Sequence, residues 1–111
     1  MAISIRTATP KALLAKIKKA IDDGHVETWS YDEDGDFTHN VPQWKNKAWL
    51  RPKVEAGVLR LGILRPRDVE MSYEVYGVYH GRFIEMVVTH FDNQFTIASA
   101  TAQKDSNIDD F

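Results

Sequence analysis

The 111-residue sequence contains no cysteine. Disulfide bonds, thiolate metal sites, iron–sulfur clusters and a cysteine nucleophile are therefore excluded. The chain also has no apolar run near the roughly 20 residues that a membrane-spanning helix needs, and its N-terminal segment lacks the long apolar stretch of a secretory signal. We therefore expect a cytoplasmic protein with no membrane association.

Phosphate-binding loops and metal-ligand motifs are missing as well. Neither GxGxxG nor GxxxxGK[ST] occurs, and the six glycines are scattered. Counted from Asp32, a calcium-binding EF-hand loop needs glycine and glutamate where the chain has Phe37 and Gln43. His80 and His90 are ten residues apart, which is not the spacing that places two ligands on one metal. We expect no cofactor and no metal.

The length and composition indicate one soluble globular domain. Hydrophobic residues make up 43% of the chain and charged residues 27%, which is typical of such domains. The C-terminal sequence QKDSNIDDF has three acidic residues and little apolar content. We therefore predict a single α+β domain over residues 1–102 and a disordered acidic tail over residues 103–111.

Two segments have the apolar spacing of amphipathic helices. The first is predicted over residues 10–23, where Thr9 provides a capping hydroxyl and Pro10 suits the first helical position. The second is predicted over residues 73–91, with Ser72 as its cap. On the wheel of this second helix, His90 falls on the broad apolar face, so we expect it in the core.

Between the helices, the apolar period of two predicts two β-hairpins. In the first, a turn ending at Gly35 places Tyr31 opposite Phe37 and Trp29 opposite His39, which gathers the aromatic residues on one face. In the second, pairing Leu50 with Ile63 and Val54 with Leu59 makes one face entirely apolar. A slip of one residue in this second hairpin would bury charge and expose leucines.

These elements follow the order α-β-β-β-β-α. The predicted fold is a two-layer α+β sandwich, with a four-stranded antiparallel meander and two helices packed on one of its faces. The opposite face of the sheet is then left to solvent. We expect the functional residues to lie on this solvent-facing side of the sheet.

Charge is unevenly distributed, although the formal net charge is only −2. Seven acidic residues and no Lys or Arg lie between Asp22 and Asp36, whereas seven basic residues and one acid, Glu55, lie between Lys45 and Arg67. Such segregation can steer a charged partner or attract a second copy of the chain. Formation of a homodimer is therefore one hypothesis.

The solvent-facing side of the second hairpin combines cations with tryptophan, and Trp44 lies on the loop that leads to it. The predicted binding residues are Lys47, Trp49, Arg51, Lys53, Arg60 and Trp44. A tryptophan among cations is typical of protein-binding hot spots and of surfaces that bind single-stranded nucleic acid. Because the net charge is negative, we predict a small non-enzymatic interaction module that binds an acidic protein partner, with RNA binding as the alternative.

A second hypothesis is metal-independent RNA cleavage by the same face. Its general base would be His39 or His80, and Arg51 or Arg82 would stabilise the anionic transition state. Proximity in sequence assembles neither a Ser-His-Asp triad nor a pair of carboxylates. The sequence therefore favours binding over catalysis.

Overall fold

The computed structural model describes residues 2–111. Over these residues the chain forms two helices and a six-stranded sheet. In chain order the elements are β1 (Ile3–Arg6), α1 (Pro10–Asp22), β2 (Trp29–Tyr31), β3 (Phe37–His39), β4 (Trp49–Glu55), β5 (Val58–Leu64), α2 (Tyr73–Phe91) and β6 (Ile97–Ala100).

The sheet has the strand order β2-β3-β4-β5-β1-β6, and all neighbouring strands are antiparallel. The α+β class is confirmed, and the four predicted strands correspond to β2 to β5. The prediction of only four strands was wrong, because β1 and β6 extend the sheet beyond β5. Neither of these two strands pairs with the strand next to it along the chain, so no hairpin turn in the sequence marks them.

The predicted registers of both hairpins are confirmed. Trp29 pairs with His39, and Leu50 pairs with Ile63. Gly35 has a φ of 82°, the left-handed conformation that glycine adopts without steric cost. Register is well determined in these strands because a slip of one residue would turn every buried side chain towards solvent.

The helices begin and end within one residue of their predicted bounds. At α2 the hydroxyl of Ser72 accepts the Val75 amide at 3.1 Å, as predicted. At α1, Thr9 is the N-cap and Pro10 begins the helix as predicted, but the predicted capping by the Thr9 hydroxyl was wrong. Thr9 makes no capping hydrogen bond with its side chain, and its amide instead donates to the Thr7 hydroxyl at 3.2 Å. Among residues 2–111, no helix combines the length and the apolar character that crossing a membrane requires.

Both helices contribute to the same hydrophobic core as the inner face of the sheet. Leu13 and Ile17 of α1 and Phe83 of α2 are buried in one cluster with the apolar side chains of the strands. The β4 and β5 residues of this cluster are those that the register predicted to face inward: Leu50, Leu59, Leu61 and Ile63. Alternate residues of the same strands therefore point away from the helices.

The C-terminal segment, residues 103–111, lies against this outward face of β5. A Cβ atom at Gly62 would be 2.2 Å from the carbonyl oxygen of Ile108, so only glycine allows this approach. The buried carboxylate of Asp109 accepts the Ile63 amide at 2.8 Å. The disorder expected for this segment stays a prediction about its behaviour in solution, and these are the contacts that oppose it.

Candidate functional site

The outward side chains of β4 form the first candidate site. Trp49, Arg51 and Lys53 alternate with inward-facing residues, and Lys47 precedes the strand. Trp49 is half-buried and does not belong to the hydrophobic core, whereas the three cations are exposed. We call these four residues the β4 surface. The sequence placed all of them in the binding set.

Arg51 is held in place by a buried acid. Its guanidinium donates to both carboxylate oxygens of Asp36, at 3.0 and 2.8 Å. These hydrogen bonds raise the pKa of Arg51 above its ordinary value. Half of the Arg51 side chain, 53%, remains exposed, so it is oriented by Asp36 and still accessible to a partner.

The two lysines of the β4 surface are less constrained. Lys53 lies 3.7 Å from Glu55 and its side chain is 60% exposed. An exposed pair at this distance contributes little to stability and leaves the lysine free to move. Lys47 makes no ion pair within residues 2–111. Of the cations of the β4 surface, Lys47 therefore has no acidic partner within the described residues and Lys53 has only a weak, exposed one.

Arg60 is also outward-facing, but the C-terminal segment lies over it. Its guanidinium donates to Asp105 at 2.6 Å and its side chain is only 22% exposed. The hydrogen bond from Arg60 is the main reason why the pKa of Asp105 is lowered. Arg60 therefore already has an acidic partner within the chain.

Trp44 lies apart from the β4 surface and lines a cavity between the β2–β3 hairpin and α2. This α2 cavity has a volume of about 360 Å³. Trp44 packs against the core there, and its carbonyl oxygen accepts a hydrogen bond from the Tyr79 hydroxyl. The side chains that line the cavity include His39 from β3 and Arg82, Glu85 and His90 from α2.

His39 is the most buried titratable group in this lining. Its ring stacks on Trp29 with a centroid separation of 4.7 Å, and Nδ1 lies 2.8 Å from the carbonyl oxygen of Thr28. Because a carbonyl only accepts, Nδ1 carries the proton and Nε2 of the neutral ring has a free lone pair. Burial is the main cause that lowers the pKa of His39 below its ordinary value of 6.5, which favours the neutral ring near pH 7.

This lowered pKa predicts a pH-dependent stability. The unfolded chain, in which the His39 pKa is near its ordinary value of 6.5, binds the proton more readily than the folded chain. The free energy of unfolding should therefore fall as pH decreases from about 7 through the folded pKa, with the full contribution present above the ordinary value. Urea unfolding of the wild type and of His39→Gln across this range measures it. If His39→Gln has the same pH slope as the wild type, or as the exposed-site control His25→Gln, the assignment to His39 is wrong.

The helix side of the cavity carries the charged groups. Arg82 and Glu85 are three residues apart and form an ion pair at 3.3 Å, with side chains 57% and 64% exposed. His90 is also exposed, so its predicted place in the core was wrong. It follows buried Met86 and Val87 at helical spacing, but the cavity lies where the apolar stripe predicted a packing partner.

The residues that the sequence grouped for catalysis lie in different parts of the structure. His39 and Arg82 line the same cavity. His80 is buried elsewhere on α2, with Nδ1 2.6 Å from the Tyr76 carbonyl oxygen, and Arg51 lies on the outer face of the sheet. Sequence reasoning did not include Glu85 in the candidate site. Its signal was the spacing of three from Arg82, which places both on one side of a helix.

Three acidic side chains also lie together at the turn between β2 and β3. Carboxylate oxygens of Asp32, Asp34 and Asp36 are within 4.8 Å of one another. Asp32 accepts the amides of Asp34 and Asp36, both at 3.0 Å, and Asp36 binds Arg51. Turn formation and the ion pair explain these positions.

Comparisons of the chain with protein-family models, curated proteins and solved structures found no match. Its function is therefore argued from its own residues.

Proposed function

We propose that this chain is a non-enzymatic interaction module that binds an acidic protein segment through the β4 surface. The observation that supports this most directly is the position of Trp49. It lies outside the hydrophobic core, only half-buried, between Lys47, which precedes the strand, and Arg51. Both helices pack on the other face of the sheet.

The chemistry of the surface suits an acidic peptide. An indole provides a large contact area at small cost in conformational entropy, which is why tryptophan is enriched at binding hot spots. Arg51 is already oriented by Asp36, so little entropy is lost when its exposed N–H groups bind a carboxylate. Lys47 and Lys53 add positive charge that steers an acidic partner.

The acidic C-terminal segment, residues 103–111, already lies on the outward face of the neighbouring strand, β5. Asp105 pairs with Arg60 on the outward face of β5, while Ile108 covers Gly62. A carboxylate and an aliphatic side chain thus bind side by side on this face. An external acidic segment could use the same combination of contacts on β4.

The same face is less suited to RNA cleavage. Neither His39 nor His80 lies on it, since His39 lines the α2 cavity and His80 is buried on α2. Within residues 2–111 the β4 surface has no histidine to act as a base. RNA binding without cleavage remains as the alternative, and the binding experiment distinguishes it from binding of an acidic peptide.

The test is titration of a fluorescently labelled glutamate-rich peptide by anisotropy at low salt. We expect Trp49→Ala to weaken binding by about tenfold or more, as truncation of a hot-spot tryptophan does. The matched control is Tyr73→Ala, which removes another aromatic side chain, 82% exposed, from the start of α2. It should leave the affinity unchanged.

Single-stranded RNA and a lysine-rich peptide are titrated in parallel. Absence of glutamate-rich peptide binding at low salt, or equal losses for Trp49→Ala and Tyr73→Ala, would contradict the proposal. Binding of RNA in preference to the acidic peptide would replace it by the nucleic-acid alternative, with affinity falling steeply as salt rises. Sedimentation of the unlabelled chain at low salt would reveal a second copy on the surface.

A further inference from the structure

We propose that the α2 cavity is a binding site for a small phosphate monoester, in which His39 accepts a hydrogen bond from the phosphate and Arg82 binds its negative charge. This site lies on the helix side of the sheet and is independent of the β4 surface. The volume of about 360 Å³ is within the range of small-molecule sites, roughly 300–1,000 Å³.

His39 presents an unused hydrogen-bond acceptor to the cavity. Its Nδ1–H is already bound to the Thr28 carbonyl, and Nε2 has no hydrogen-bond partner within residues 2–111. Nε2 is not closed to solvent, so a ligand that enters the cavity can reach it. Since the neutral ring offers only a lone pair at Nε2, the complementary ligand group must carry a proton.

Trp29 has a hydrogen-bond donor without an acceptor, the opposite of His39. Its indole Nε1 is buried and has no hydrogen-bond partner in the described part of the chain. Trp29 lines the same cavity and is stacked on His39. Nε1 has almost no accessible surface, so an oxygen atom in the cavity reaches it only if the surrounding rings move. A ligand that satisfies both rings therefore has to combine a donor and an acceptor in one place.

Arg82 adds a requirement for negative charge. Its pair with Glu85 at 3.3 Å is solvent-exposed, and pairs of this kind are weak, so its guanidinium is available for a stronger acceptor. The planar fork of arginine matches phosphate oxygens. Glu85, which lines the cavity too, disfavours a fully ionised dianion.

A phosphate monoester meets all three requirements in one group. Its second pKa is about 6, so about half of it at pH 6 and about a tenth at pH 7 is the monoanion, with one P–OH donor and anionic acceptor oxygens. A carboxylate at the same pH only accepts, and leaves Nε2 of His39 without a donor. The aromatic rings of Trp44 and Trp29 in the lining provide apolar area for the organic part of the ester.

The probe is phenyl phosphate, with inorganic phosphate and phenylacetate as comparison ligands. Binding is followed by NMR of the imidazole nitrogens, which reports the His39 tautomer and any new hydrogen bond at Nε2. We expect the His39 signals to shift with phenyl phosphate, and phenylacetate to bind more weakly. Inorganic phosphate should shift the same signals at higher concentration, because it lacks the aromatic part.

Variants separate a specific site from general charge attraction. Arg82→Gln should weaken phenyl phosphate binding by about tenfold to a hundredfold, the effect of losing a charged hydrogen-bond pair. Lys11→Gln removes one exposed positive charge from α1 and should have no effect, and because Arg82 and Lys11 are both exposed, both variants should fold. Unshifted His39 signals at saturating phenyl phosphate, or equal losses in the two variants, would overturn the proposal. Neither result bears on acidic-peptide binding by the β4 surface.

Discussion

Replacing Phe83 by alanine is expected to lower the free energy of unfolding by about 3–5 kcal/mol. Phe83 is fully buried at the centre of the aromatic cluster, with ring centroids 5.1 Å from Trp29 and 5.4 Å from Phe37. Its removal deletes the ring contacts that Phe83 makes with the β2–β3 hairpin and leaves a void between rigid rings that do not collapse to fill it.

Urea unfolding followed by far-UV circular dichroism measures this loss. The control is Val88→Ala on the same helix, where the side chain is 50% exposed and the expected change is within about 0.5 kcal/mol. Similar changes for the two variants would show that Phe83 does not hold α2 against the sheet.

The second large effect is expected from a single added methyl group. Gly62→Ala places a Cβ atom 2.2 Å from the Ile108 carbonyl oxygen, a backbone atom that has to move if the substitution is tolerated. We expect a destabilisation of about 1–3 kcal/mol and detachment of residues 103–111 from β5. Hydrogen exchange of the Arg65 and Asp110 amides, which bond across this contact, should accelerate.

A glycine-to-alanine substitution in α2 is expected to change the stability in the opposite direction. A Cβ atom at Gly77 of α2 meets nothing within 4 Å, so Gly77→Ala should stabilise the protein by about 1 kcal/mol, the difference in helix propensity.

Unchanged stability and unchanged exchange in Gly62→Ala would show that the C-terminal segment is not bound to β5 in solution. The predicted disorder of residues 103–111 would then hold.

The two proposed sites differ in how much of them could be predicted from sequence. The outward alternation of Trp49, Arg51 and Lys53 is a property of one strand, and the register that produces it was predicted. The compensation of Arg51 by Asp36 and of Arg60 by Asp105 was not predicted, because each ion pair joins residues that are distant along the chain. The β4 surface is therefore smaller and less positively charged than the sequence indicated.

The α2 cavity was beyond sequence reasoning. His39 lies on a strand, Trp44 on a loop and Arg82 on a helix more than thirty residues further on, and no local period relates them. Helical periodicity placed His90 on the apolar face but did not reveal that a cavity replaces its packing partner. An unfilled volume depends on how separate elements meet, which the pattern of one element does not determine.

By itself the sequence determined those elements that a short, continuous segment of the chain specifies. The bounds of α1 and α2, the turn at Gly35 and the registers of both hairpins all follow from apolar period and turn chemistry within short segments. The tertiary structure alone decided that β1 lies between β5 and β6 and that Ile108 rests on Gly62. Those contacts join residues between 46 and 97 positions apart, where the complementarity of surfaces, rather than local propensity, selects the partner.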